Sequence, residues 1–357
     1  MKDLSKYIVS DNTNIRNTIK AMDSGGKGFI IIVNQNKNVN GILTDGDFRR
    51  AIINGISLEE NVLKIANQNF KSIDHEATHT QILNVFKDSV ILFLPVLNDG
   101  ILTDVLFRKD FNIDFNSIRY PKVDMPVVIM AGGKGTRLAP FTDILPKPLI
   151  PFGKKTILET IMDEYALYGI TDFYISVNYK AKLIKAYIED TKLPFTINFI
   201  DEEKPLGTGG ALKYIENKID TCFFVSNCDI LIKDNYSKIV DFHKLGKFDL
   251  TLIGCLQHHK MRYGVCELNN EGDLFKITEK PEFDFLVNTG MYIVELSSLQ
   301  FIPKDTFFNI TDLISILHKE NKKVGVYPVS ENSWIDVGQW EEYNNAVNKL
   351  MNNDIKI

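Results

Sequence analysis

Blocks of apolar residues of strand length punctuate the chain, and the first informative block occurs twice. Gly41-Ile-Leu-Thr-Asp45 returns as Gly100-Ile-Leu-Thr-Asp104, a spacing of 59 residues, each copy after an apolar segment and before a helix-like stretch. Such self-similarity marks a duplicated supersecondary unit. In the first copy, residues 28–33 predict a buried strand, 41–44 its hairpin partner, and 47–54 a helix ending near Gly55. The second copy predicts strands over 89–97 and 101–103. The repeats occupy about 1–60 and 61–115. Residues 116–126, with Pro121 and Pro126 and no sustained period, predict a linker.

From Val127 the pattern changes to apolar strand, glycine loop, helix, strand, helix. Strands are predicted over 127–130, 172–177, 196–200 and 221–226, and helices over 157–168 and 180–188. That alternation predicts an α/β fold, a Rossmann-like, mostly parallel mixed sheet with its site at the C-terminal strand ends.

The strongest chemical signal is Val127-Val-Ile-Met-Ala-Gly-Gly-Lys-Gly-Thr-Arg-Leu138, followed by Leu145-Pro-Lys-Pro-Leu149. A buried strand delivers Ala131, Gly132, Gly133, Gly135 and Thr136, a loop whose backbone can approach a nucleotide and aim N–H groups at phosphate oxygens. Arg137 and Lys147 add positive charge in glycine- and proline-fixed loops. Neither the P-loop spacing nor the dinucleotide glycine spacing is present.

These strings resemble the sugar-1-phosphate nucleotidyltransferases over 127 to about 345. The resemblance implies the nucleotide-diphospho-sugar transferase fold over 127–357 and an in-line attack of a sugar-phosphate oxygen on the α-phosphorus of a nucleoside triphosphate. In such chemistry the protein positions anions and neutralises charge. It assigns Arg137 to the β- and γ-phosphates, and Lys147 to the α-phosphate and sugar phosphate. Asp229 in Asn227-Cys-Asp229 and Asp336 in Trp334-Ile-Asp-Val-Gly338 are expected to hold Mg²⁺, which prefers hard oxygen ligands. Cys228 departs from the family's usual middle residue without removing a ligand. Asn227, Glu279, Lys280, Asn288, Thr289 and Gly290 are expected around the sugar phosphate.

Gly207 and Thr208 resemble the family's base-binding turn. Five residues earlier stands Glu202, where relatives acting on uridine or thymidine nucleotides carry Gln. Guanine presents two N–H donors side by side, which a carboxylate accepts better than an amide. GTP is the expected nucleotide.

The duplicated unit resembles a tandem CBS module of α+β type, which implies an adenine nucleotide at Thr44 and Asp47 and a homodimer. Leu106 replaces the corresponding Asp in the second copy, so one competent site is implied. The two parts together resemble the glucosamine-1-phosphate guanylyltransferases of bacterial legionaminic acid synthesis. Mannose-1-phosphate guanylyltransferase and a uridylyl- or thymidylyltransferase are the enzymatic alternatives, and a CBS nucleotide sensor with an inactive transferase domain is the alternative of another class.

Composition narrows the field further. With 44% hydrophobic and 24% charged residues over 357 positions, the chain reads as an ordinary globular protein of two domains. A net charge of -5 argues against a nucleic-acid surface. No signal peptide or membrane span is expected, and a cytoplasmic location follows from that. Cys222, Cys228, Cys255 and Cys266 show no metal-type spacing, which predicts reduced, mostly buried thiols.

Overall fold

The structure is a computed structural model, and it describes residues 4–25, 27–53, 55–87, 91–111 and 120–351. Two compact units divide between Pro121 and Lys122.

The first unit carries β1 (Ile8–Ser10), α1 (Ile15–Gly25), β2 (Phe29–Val33), β3 (Val39–Thr44) and α2 (Asp45–Ile53), then β4 (Ile73–Asp74), α3 (His79–Lys87), β5 (Phe93–Asn98) and β6 (Ile101–Phe107). Each repeat is a three-stranded sheet with one parallel and one antiparallel pairing, β1-β2-β3 and β4-β5-β6. β2 is buried on both faces because it lies between two apolar layers. Ile30 and Ile32 pack with Ile15, Met22, Leu43 and Phe48, while Phe29 and Ile31 pack with Leu102, Val105 and Phe93. The Phe29 and Phe93 rings stack 3.7 Å apart.

The repeats differ where the sequence predicts likeness. Asp45 opens a helix, but Asp104 lies inside β6, which runs on to Phe107 and ends in a short 3₁₀ turn. Residues 54, 89 and 90 of the expected elements and most of the expected linker lie outside the described residues. Its last part is no free linker: Val123 and Met125 are buried, and the Val123 N–H donates to the Tyr168 carbonyl at 2.9 Å.

In the second unit come β7 (Val127–Met130), α4 (Phe141–Ile144), β8 (Pro151–Phe152), β9 (Lys155–Thr156), α5 (Ile157–Ala166), β10 (Asp172–Val177), α6 (Ala181–Thr191), β11 (Thr196–Asp201), β12 (Phe223–Asn227), β13 (Ile230–Ile232) and α7 (Tyr236–Gly246). These are followed by β14 (Leu250–Lys260), β15 (Val265–Leu268), β16 (Leu274–Thr278), β17 (Glu282–Val294), α8 (Ile310–Lys319), β18 (Val324–Val329), β19 (Trp334–Asp336) and α9 (Trp340–Met351). Seven strands form one sheet in the order β11-β10-β7-β12-β17-β14-β18. Only β17 runs against its neighbours; the other pairings are parallel.

β7 is central because Val-Val-Ile-Met is apolar on both faces, as a doubly covered parallel strand must be. One cover is an apolar layer around Leu206, Leu212, Leu299, Leu313 and Leu317. The other includes α5 and α7, where the Tyr165 ring meets Phe173, Phe224 and Tyr236 edge-on. A capping box starts α5: the Glu159 N–H donates to Thr156 Oγ at 3.2 Å, and the Thr156 N–H donates to Glu159 Oε2 at 2.7 Å.

Candidate active site

Strand direction gathers the chemistry at one end of the sheet. β7, β10, β11 and β12 are parallel, so the segments after Met130, Val177, Asp201 and Asn227 leave from the same edge. The glycine loop follows β7, the Glu202 turn follows β11, and Asp229 follows β12. Asp336 arrives through a two-stranded sheet whose antiparallel register sets Ile230 opposite Asp336. The Val337 N–H donates to the Asp229 carbonyl at 3.0 Å, which completes that junction.

Lys147, Asp229 and Asp336 meet at Gly338. A methyl group there would lie 2.6 Å from Asp229 Oδ2, 2.8 Å from Asp336 Oδ1 and 3.1 Å from Lys147 Nζ. Lys147 and Asp229 are buried and form an ion pair through Nζ and Oδ2. The Gly338 N–H donates to Asp336 Oδ1 at 2.7 Å. Burial and the neighbouring Asp229 carboxylate push the Asp336 carboxyl above its usual range, against the pull of the Gly338 N–H, Lys147 and Arg137. Arg137 is exposed on a 3₁₀ turn after Gly135, and its charge is felt at Asp336. Lys147, Asp229 and Asp336 therefore meet, with Arg137 on the exposed loop nearby, and Gly338, not foreseen as a site residue, stands against all three of the clustered side chains.

The loop is held from several sides. Gly135 has φ +66°, and a side chain there would strike Lys147 Cβ and Thr142 Cγ2 at 3.0 Å. Gly132 stands against the Glu202 carboxylate, with 2.6 Å between Oε1 and a methyl group placed at Gly132. Gly133 faces open space, and Thr136 is exposed. The Ala131 N–H bonds the Ser176 carbonyl at 2.9 Å. α9 staples the far end: the Trp340 indole N–H donates to the Ala139 carbonyl at 2.9 Å, and the Tyr343 hydroxyl to the Pro151 carbonyl at 2.7 Å.

Glu202 is buried, unlike its exposed neighbours Asp201 and Glu203. Its Oε1 accepts from the Ser176 hydroxyl and its Oε2 from the Leu206 N–H at 2.8 Å. Each oxygen keeps a second lone pair. The Gly207 to Gly210 turn packs on the start of α8: the Gly209 and Gly210 N–H groups donate to the Phe308 carbonyl at 2.9 Å, and Thr208 Oγ accepts from the Ile310 N–H at 3.1 Å. Gly207 is required by backbone shape, with φ +78° and the Phe308 carbonyl 2.6 Å from where a Cβ would sit.

The expected sugar-side residues divide. Asn227 lies against Gly290, and the Gly290 N–H donates to Asn288 Oδ1 at 2.9 Å. Asn288 Nδ2 donates to the Tyr292 hydroxyl at 2.7 Å. Thr289 does not face the cleft: it is buried, and its hydroxyl donates to the Ile253 carbonyl at 2.8 Å, beside the register shift between β14 and β17. Alternation along a strand puts Thr289 on the opposite face from Asn288 and Gly290. Glu279 and Lys280 are exposed after β16, Lys280 with φ 46°. In the first unit, Asp47 is satisfied locally: Oδ2 accepts from the Thr44 N–H and hydroxyl at 3.0 and 2.6 Å, and Oδ1 from Arg50 Nη2 at 2.5 Å.

A seven-stranded mixed sheet with one reversed strand and a glycine loop at its C-terminal edge is the nucleotide-diphospho-sugar transferase fold. The nucleotidyl transferase family model matches residues 126–353, and the chain belongs to that family. It is 32% identical over 229 residues to a mannose-1-phosphate guanyltransferase of Debaryomyces hansenii, a match covering 61% of this chain and 62% of the relative. A mannose-1-phosphate guanyltransferase of Saccharomyces cerevisiae is 29% identical over 229 residues, 61% of this chain and 63% of the relative. These matches span less than two thirds of the relatives' length. Among solved structures, HddC from Yersinia pseudotuberculosis has 29% identity and a TM-score of 0.51, over 63% of this chain and 99% of that one. A structure of HddC complexed with GMP-PN, at 28% identity, has a TM-score of 0.50, over 63% of this chain and 99% of that one.

Proposed function

We propose that the second unit is a sugar-1-phosphate guanylyltransferase and that mannose 1-phosphate is its sugar substrate. The observation that carries the proposal is the meeting of Lys147, Asp229 and Asp336 at Gly338, beside the glycine loop. The names of the relatives favour mannose 1-phosphate over the glucosamine 1-phosphate that the two-part resemblance implies. The GMP-PN complex of HddC and the buried carboxylate of Glu202 support a guanine nucleotide.

In this reading a phosphate oxygen of the sugar phosphate attacks the α-phosphorus of GTP. The new P–O bond forms as the bond to the β-phosphate oxygen breaks, and pyrophosphate leaves. The loop from Gly132 to Thr136 holds the triphosphate with backbone N–H groups, the Ala131 N–H being bonded to the Ser176 carbonyl, and Arg137 neutralises its outer phosphates. Lys147 turns part of its charge from Asp229 to the α-phosphate and the incoming phosphate. The donor set of Asp229 and Asp336 suits Mg²⁺, which when bound supplies charge neutralisation at the phosphates. Glu202, fixed by Ser176 and the Leu206 N–H beside Gly132, accepts from the guanine edge with its remaining lone pairs. Asn227, Asn288 and Gly290 line the sugar side, and the exposed Glu279 and Lys280 are assigned to it by the resemblance alone.

The first unit is proposed as a CBS pair that promotes a homodimer. An adenine nucleotide at Thr44 and Asp47 would have to displace the contacts of Asp47 with Thr44 and Arg50.

Pyrophosphate release measured for each nucleoside triphosphate with a panel of sugar 1-phosphates tests the assignment. GTP with mannose 1-phosphate, in Mg²⁺, is expected to turn over fastest. Turnover with UTP or dTTP alone would remove the Glu202 argument, and faster turnover with glucosamine 1-phosphate would correct the sugar. No turnover with any pair would favour the nucleotide-sensing alternative.

Gly338→Ala gives a narrower test. The methyl group must push apart Asp229, Asp336 and Lys147, and a displacement of about 1 Å at reacting groups costs on the order of 10²-fold in rate. A fall of that size in kcat/KM is expected, with the unfolding temperature nearly unchanged; unaltered kinetics would mean that the cluster is not where the reaction occurs.

A further inference from the structure

A second constellation lies at the opposite end of the same strand. Phe223 at the start of β12 pairs with Val294 at the end of β17, so Cys222 and Glu295, one residue further out on each strand, face one another across the sheet edge. His243, on the last turn of α7, completes the group. The ligand atoms of Cys222, His243 and Glu295 all lie within 4.8 Å of one another. We propose that Cys222 Sγ, His243 Nε2 and a Glu295 carboxylate oxygen form a structural site for a borderline-soft divalent cation, zinc above all.

The geometry is close to what the ion needs. Tetrahedral zinc with Zn–S of about 2.3 Å and Zn–N and Zn–O of about 2.0–2.2 Å holds its ligand atoms roughly 3.4–3.6 Å apart. His243 Nε2 and Glu295 Oε1 are already 3.1 Å apart, so only small side-chain rotations are required. The ring is oriented as a metal-binding imidazole is: Nδ1 lies 2.8 Å from the Thr251 hydroxyl, which leaves Nε2 as the ligating atom and lets Nδ1–H donate to Thr251 when metal is bound. His243 and Thr251 are buried, and the Cys222 side chain is shielded as well. The Glu295 side chain is 41% exposed, which supplies an entry path and room for a water as the fourth ligand.

Binding requires the thiol to lose its proton to solvent, so zinc uptake releases one proton for this cysteine. An ordinary hydrogen bond between His243 and Glu295 accounts for two of the three residues but not for the thiol beside them. The mixed sulfur, nitrogen and oxygen set selects against Mg²⁺, which takes oxygen ligands. β12 separates this cluster from Asp229 by five strand residues, roughly 16 Å at about 3.3 Å per residue, so the ion would anchor α7 to the adjoining ends of β12 and β17 and take no part in phosphoryl transfer.

Cobalt(II) as a spectroscopic stand-in for zinc tests the site. Reduced full-length protein without an affinity tag, in excess Mg²⁺ to fill the oxygen-rich cleft, is titrated with CoCl₂ and then with ZnCl₂. One equivalent of cobalt is expected to give a thiolate-to-cobalt charge-transfer band and tetrahedral visible bands, both abolished by zinc. Cys222→Ala removes the charge-transfer band, Glu295→Gln weakens cobalt binding at least tenfold, and Cys266→Ala leaves both unchanged. Glu295 is on the exposed side, so its variant decides the matter should Cys222→Ala fold poorly. Wild-type protein without the charge-transfer band, or Glu295→Gln protein that binds cobalt as tightly as wild type, would overturn the proposal.

Discussion

Asp229→Asn is expected to lower kcat by about 10³-fold or more, the scale on which a preorganised electrostatic contact or a metal ligand contributes to a transition state. The substitution keeps the shape of the side chain and removes one negative charge from a cluster that also holds Asp336 and Lys147. Two opposing effects on stability follow. The Lys147 ammonium loses its partner, which destabilises, while the Asp229 repulsion that adds to burial in pushing Asp336 upward is relieved. The fold should survive, so a rate deficit with an unfolding temperature within a few degrees of wild type is the expected pair of results. Near-normal, Mg²⁺-dependent turnover by this variant would remove Asp229 from the reaction.

Lys147→Met separates charge from packing in the opposite sense. Methionine fills much of the volume of the lysine stem, yet Asp229 loses its ion-pair partner beside the Asp336 carboxylate. A loss of about 10²–10³-fold in kcat/KM is expected from the missing contact to the reacting phosphates. Without added metal the protein should also unfold at a lower temperature, since removing one partner of a buried pair strands the other. Mg²⁺ should then raise the unfolding temperature more than it does in wild type, because the bare carboxylate pair gains more from a divalent cation. A variant that is slow and shows no greater response to Mg²⁺ would count against a metal site at Asp229 and Asp336. Calorimetry across a magnesium series, beside steady-state kinetics, reads both quantities.

The elements that could be read from the sequence are those whose environment is the same on every side. β7, β10 and β12 appear within about two residues of expectation because strands covered on both faces are largely apolar, whereas the edge strand β11 is marked by its alternating Ile197, Phe199 and neighbouring polar residues. The long β14 and β17 arm and the β15–β16 hairpin were not foreseen. Their outer residues include Phe275, Ile277 and Phe285, which are exposed although their composition suggests burial. The glycine loop, Lys147, Asp229 and Asp336 were legible as motifs, whereas their meeting point was not, since it depends on the register of two short strands that sets Ile230 opposite Asp336. The facing of Thr289 is not legible in a tripeptide. The bulged pairing with β14 turns that hydroxyl toward the Ile253 carbonyl. The cysteines were read by their spacing along the chain, and Cys222 gains His243 and Glu295 as neighbours only through folding.

The attachment of α9 to the glycine loop has a consequence for biosynthesis. A ribosome releases the loop, Lys147 and Asp229 long before Asp336, Trp340 and Tyr343 have been added. A polypeptide made only as far as Asp229 therefore has a glycine loop without its Trp340 and Tyr343 contacts and an Asp229 without Asp336 beside it.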